Sequence, residues 1–169
     1  MLHKLVYFGL LLLLIASCRS QQATRQDHPC RPLTSQEFLE QPLNASLYID
    51  SVKEDYGERF RLTRFLRDVG NQNQVKDTIY RFHNKHTSLV FYKTSMGEES
   101  FLTSKIADRS LELRPCLRVG MSRMRIEELI SDFPSDFRDT VTLHNENRQA
   151  IFIFKESKLK TVFVNSFFK

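Results

Sequence analysis

Residues 139–167 read DTVTLHNENRQAIFIFKESKLKTVFVNSF. Runs of β-branched and aromatic residues, parted by short polar clusters, are the pattern of consecutive hairpins. The expected strands are Thr140 to His144, Ala150 to Lys155 and Leu159 to Asn165, with turns at Asn145-Glu146-Asn147 and Glu156-Ser157-Lys158. The clusters are short enough to make the pairing antiparallel. One feature of the middle strand is unusual. A sheet covered on one face alternates polar with apolar residues, whereas Ile151-Phe152-Ile153-Phe154 is apolar on both. The second face therefore requires a cover, supplied either by another part of the chain or by a partner.

Upstream of this meander, Gly120-Met121-Ser122 supplies a turn and a helix N-cap, Ile126, Leu129, Ile130 and Phe133 form an apolar stripe, and Pro134 is the stop. The pattern has an earlier counterpart. A helix is expected from Leu47 to Tyr56, and Ile49, Val52 and Tyr56 match Ile126, Leu129 and Phe133 at an offset of 77 residues. Asp77-Thr78-Ile79 and Phe91-Tyr92-Lys93 match Asp139-Thr140-Val141 and Ile153-Phe154-Lys155 at an offset of 62. The difference corresponds to an extra segment, Arg59 to Gln74, read as an added hairpin arm ending in Gly70-Asn71-Gln72-Asn73. Strands of the first copy are expected at Phe60 to Leu66, Thr78 to His83, Ser88 to Lys93 and Phe101 to Ile106; Leu89-Val90-Phe91-Tyr92 is again apolar on both faces. A further short helix begins at Thr34, where Thr34 and Glu37 have capping-box spacing and Leu33 and Phe38 occupy the staple positions; Pro42 ends it.

The expectation is an α+β fold of two similar units, each a helix plus an antiparallel meander, with the helices on one face of the sheet. The units would span 33–113 and 114–169. Val119-Gly120-Met121-Ser122, Ile126-Glu127-Glu128-Leu129, Phe133-Pro134 and Leu159-Lys160-Thr161-Val162 resemble the repeat of BamE-type outer-membrane assembly lipoproteins and of the β-lactamase inhibitory protein. That resemblance implies a helical segment packed on an antiparallel sheet and, from the inhibitor, two such units in tandem. It carries over no functional residue.

The start of the chain points to the same compartment. Lys4 precedes an apolar run from Leu5 to Ile15, too short to span a bilayer, which ends at Ala16-Ser17-Cys18. Ile15-Ala16-Ser17-Cys18 resembles the bacterial lipobox, which implies that residues 1–17 are a signal peptide and that Cys18 is the lipidated N-terminus. Arg19, standing where an aspartate would favour inner-membrane retention, implies an outer-membrane lipid anchor facing the periplasm or the surface. Residues 18–32 are polar and read as a flexible tether. Cys30 and Cys116 then face an oxidising compartment, either as a disulfide or as two separate thiols.

Without residues 1–17 the chain carries 24 Lys and Arg against 20 Asp and Glu, a mild +4. This suits a solvated surface or one beside anionic head groups; no nucleic-acid partner is expected. There is no glycine-rich phosphate loop, HExxH, CxxC or GxSxG. His83, His86 and His144 read as turn residues rather than metal ligands, and neither metal nor cofactor is expected. Interaction is the favoured function, with Phe91, Tyr92, Phe152 and Phe154 as the expected surface, in a non-catalytic envelope-assembly or protein-binding accessory. The alternatives are an inhibitor-like module blocking a periplasmic or surface enzyme, and a hydrolase using His83 or His144 with Asp77 or Asp139. The cations Arg59, Arg61, Arg64 and Arg67, followed later by Arg123 and Arg125, form either a solvated strand edge or an element facing lipid phosphates.

Overall fold

The computed structural model describes residues 30–68, 76–109, 111–136 and 138–167. Seven strands, β1 (Arg61–Asp68), β2 (Lys76–His83), β3 (Ser88–Lys93), β4 (Glu99–Ile106), β5 (Thr140–His144), β6 (Arg148–Lys155) and β7 (Lys158–Ser166), form one antiparallel sheet of order β1-β2-β3-β4-β7-β6-β5. Two meanders are joined where β4 pairs with β7, Thr103 opposite Asn165 and Ile106 opposite Val162. Three short helices, α1 (Ser35–Glu40), α2 (Ile49–Tyr56) and α3 (Arg123–Leu129), complete the α+β fold.

Local chemistry explains each start and stop. Thr34 and Glu37 form the expected capping box, and Phe38 and Leu39 are buried. Ser122 Oγ accepts from the Arg125 amide at 3.3 Å and caps α3. α2 begins without a cap from its own N-terminal residue; the Glu99 carboxylate, from β4, accepts the Ile49 amide at 2.9 Å instead. Burial alone would push the Glu99 carboxyl up, but the Lys93 ammonium and that amide hold it below its ordinary value. The turn between β6 and β7 places Glu156 and Ser157 at φ 53° and 55°, the pair of left-handed residues that suits a two-residue hairpin. Gly120 stands at φ 93°, a left-handed backbone that favours glycine.

α3 is shorter than its apolar stripe. Ile130 is extended and bridges Leu33, ending the helix before Phe133, which reaches the core from the following turn. The expected arm exists as β1 paired over eight residues with β2, and its tip, including Gly70 to Asn73, lies outside the described residues. Phe60 precedes β1 and is buried rather than forming its first residue. α1 lies against β5 and β6, bringing Phe38 to Phe152 with ring centroids 5.5 Å apart. Cys30 and Cys116 are joined by a disulfide with Cα atoms 5.8 Å apart, tying the start of this strap to the segment before α3.

All three helices cover the same sheet face. The core runs from Ile49, Val52, Tyr56, Ile126, Leu129 and Phe133 to Phe82, Leu89, Phe91, Ala150, Phe152, Phe154, Val162 and Val164. The loop residues Leu111, Leu113 and Leu117 seal the same layer.

Candidate interaction surface

Strand pairing fixes which side chains share the opposite face. One row across the sheet is Thr63, Arg81, Val90, Thr103, Asn165 and Gln149; the next is Arg61, His83, Ser88, Lys105, Phe163, Ile151 and Thr142. Phe65, Ile79 and Tyr92 make a partial row on one side, and Thr161, Ile153 and Thr140 on the other. Ile79, Val90, Tyr92, Ile151, Ile153 and Phe163 are half-buried by their strand neighbours, and none packs on the core cluster. The buried side chains of all three helices belong to the core on the other face. The face is therefore mixed: apolar clusters on β2–β3 and on β6–β7 are separated by Thr103 and Lys105 of β4, with Arg61, Arg67 and Arg81 also exposed at and around it.

The one acid on this face among the described residues is Asp77, and it is sequestered. Its carboxylate accepts from the Tyr92 hydroxyl and, at 2.9 Å, from the Ser95 amide. The Tyr92 bond first, then that amide, hold the Asp77 carboxyl below its ordinary value, while the same carboxylate pushes the Tyr92 phenol up. Tyr92 is thereby tied to β2 two residues from its paired partner Ile79.

Of the four residues expected to form an interaction surface, three do not. Phe91, Phe152 and Phe154 are 0%, 0% and 4% exposed and face the helices; Tyr92 alone stands on the open face. The reason is parity. In a run of four apolar residues the alternation of strand side chains allows either set to point inward, and the larger aromatic rings fill the space under the helices. The sequence reading missed Ile79, Val90, Ile151, Ile153 and Phe163. Their signal lay in their own strands, where Arg81, Gln149 and Asn165 stand two residues from Ile79, Ile151 and Phe163 and mark the wet parity, and for Val90 in Arg81 and Thr103 opposite it.

The other candidates are dispersed. His83 bonds with Thr63 Oγ1 at 3.1 Å at one end of β2, while Asp77, at the other end, is committed to Tyr92 and Ser95. His144 ends β5, the far edge strand, and Asp139 precedes that strand's start. His86 lies in a turn built by Asn84 Oδ1, which accepts from the His86 and Thr87 amides at 2.9 and 2.7 Å. Among the described residues no group of three or more metal-ligating side chains converges.

A groove of about 460 Å³ lies at the sheet end where β4 outruns β7, lined in part by Tyr48, Glu99, Phe101, Arg148 and Phe167. Its half-buried cation is engaged in the fold: Arg148 donates to the Leu39 carbonyl at 2.9 Å and to the Glu40 carbonyl, capping the negative end of α1, and lies 5.8 Å from the Phe101 ring. Burial draws its pKa down, and Glu40 opposes that.

Fold and surface together define a class: helices on one side of a seven-stranded antiparallel sheet, a basic and apolar field on the other. Comparison of the chain with models of known families, with curated proteins and with solved structures returns no match.

Proposed function

We propose that this protein is a non-catalytic, membrane-anchored interaction module of the cell envelope, which presents the open face of its sheet to a partner protein. The observation that carries the reading is the pair of half-buried apolar clusters, Ile79, Val90 and Tyr92 on β2 and β3 and Ile151, Ile153 and Phe163 on β6 and β7, on the face opposite the helices. Large contiguous apolar patches mark interaction sites. Seven strands about 4.8 Å apart, several residues long, give a face on the order of 600 Å², close to the ~800 Å² per partner of a standard interface. The Cys30–Cys116 bridge fits an oxidising compartment, in keeping with a Cys18 lipid anchor in the outer membrane. Catalysis forms no part of the reading, because the candidate histidines and acids stand at opposite strand ends.

In this account the two meanders are copies of one unit. Phe82, Leu89 and Phe91 in the first and Leu143, Ala150 and Phe152 in the second are all buried and correspond at an offset of 61, not 62. Asn145 Oδ1 accepts from the Asn147 and Arg148 amides as Asn84 Oδ1 does in its own turn, again 61 residues earlier. At 62, core-facing Phe91 would fall on open-face Ile153. The antiparallel β4–β7 junction is what a two-fold relation between the copies requires.

The experiment fractionates cells carrying the full chain or its Cys18→Ser variant, then recovers the solubilised wild type with whatever accompanies it. The wild type is expected in the membrane with a stoichiometric protein partner, and the variant in the soluble fraction. An anchored chain that emerges alone would count against the interaction role; an unchanged Cys18→Ser distribution would count against the anchor.

A further inference from the structure

Between Glu58 and Lys93 the chain carries eight Lys and Arg against three acids, a surplus of five that equals the surplus of the whole sequence. Much of that excess is displayed on the β1–β2 arm. Among the described residues β1 is an edge strand, paired with β2 alone. From Arg64 to Asp68 every residue is exposed. Phe65 points to the open face and Leu66 to the other, 49% and 69% exposed, with Arg64 and Arg67 flanking them. Cationic side chains on an edge strand guard it against stray pairing. That role accounts for the arginines but not for two large apolar side chains left bare on both sides of the same strand, which work against it.

We infer that the β1 edge is a docking element for an anionic lipid surface: Phe65 and Leu66 enter the interface while Arg61, Arg64 and Arg67 meet the phosphates. A protruding edge with apolar tips and cations around them matches a broad, fluid, negatively charged plane. Each cation near such a surface contributes about 1 kcal/mol of attraction, lost with distance over a Debye length. The inference rests on the proposed Cys18 anchor. Cys30, where the disulfide fastens the chain to the body, lies twelve positions after Cys18. A tether of that length reaches at most about 40 Å, so the bilayer stays within range of the arm. Docking by this edge stands the sheet on its side and leaves the open face free for a protein.

The chain contains no tryptophan, so one introduced residue reports alone. Full-length Leu66→Trp is reconstituted on vesicles of brominated phosphatidylcholine with or without phosphatidylglycerol, with Met124→Trp as the reference; Met124 is equally exposed but lies on α3, whose first residue bonds to Ser157 in the turn at the opposite end of the sheet. Flotation reports anchoring separately. The expected result is flotation with both lipids, and a blue-shifted, quenched Leu66→Trp emission on the anionic vesicles only, abolished by adding Arg61→Glu, Arg64→Glu and Arg67→Glu. Met124→Trp stays unquenched. A chain that floats while Leu66→Trp remains unquenched on anionic vesicles overturns the inference and leaves the anchor standing, as does a Leu66→Trp shift produced only by an acidic protein. Quenching on anionic vesicles without flotation on neutral ones supports the docking edge and removes the anchor.

Discussion

Phe152→Ala lowers the stability of this protein by about 3–5 kcal/mol in urea denaturation, whereas Ile153→Ala, one residue along the same strand, costs about 1 kcal/mol or less. The two side chains are similar in hydrophobic character and opposite in direction. Phe152 is fully buried between Phe38 of α1 and Phe133 of the turn after α3, whose ring centroids lie 5.5 and 5.2 Å away, and its removal leaves a cavity that helix, turn and sheet cannot close together. Ile153 sits on the open face beside Thr140 and Thr161 and is already partly hydrated. Truncating it exposes little that water does not already reach. Comparable losses for the two variants would mean that the open face is covered by the protein itself.

Cys116→Ser lowers stability by about 2–4 kcal/mol, and reduction of the wild type brings it to the same value. The bridge closes a loop spanning 86 positions, for which the chain-entropy account allows roughly 4.5 kcal/mol as an upper figure. Its location matters as much as its length. It pins the segment that leads through Leu33, paired with Ile130, into α1, and α1 packs across β5 and β6. Loss of the bridge is therefore expected to loosen the strap first. Hydrogen exchange in α1 should rise before exchange in β6 and β7. A denaturation curve indifferent to reductant would contradict this.

These two predictions also show where the sequence was readable. Hairpin signals placed β5, β6 and β7 to within two residues, and the caps at Thr34 and Ser122 were legible because the donor and acceptor lie within one turn of each other. The cap on α2 was not, since Glu99 stands 50 residues away and only the fold brings it to Ile49. The end of α3 was misread for the same reason: Ile130 leaves the helix to pair with Leu33, a choice made by the strap rather than by local propensity. The doubly apolar runs correctly implied a second apolar face. They did not by themselves reveal which residues occupy it, because side-chain alternation has two phases; the phase is set by polar residues just outside the runs, such as Gln149 two residues before Ile151, and by pairing to Arg81 and Thr103 for Val90.

The correction at Phe91, Phe152 and Phe154 shifts the candidate surface by one residue in each strand while leaving the architecture intact. The open face acquires a different chemistry in consequence. It carries aliphatic side chains with Phe163 and one tyrosine, bonded to Asp77, and is cationic toward β1.

A photoreactive amino acid at position 151 tests the assignment of that face most directly. In intact membranes the account predicts a single protein adduct of discrete mass from Ile151, reduced when Phe163, its neighbour in the same row, is changed to Asp. The same probe at Phe152 is expected to give no adduct. A folded, membrane-bound protein whose residue 151 forms no adduct, or links only to its own chain, would contradict the claim that this sheet holds its apolar side open for another molecule.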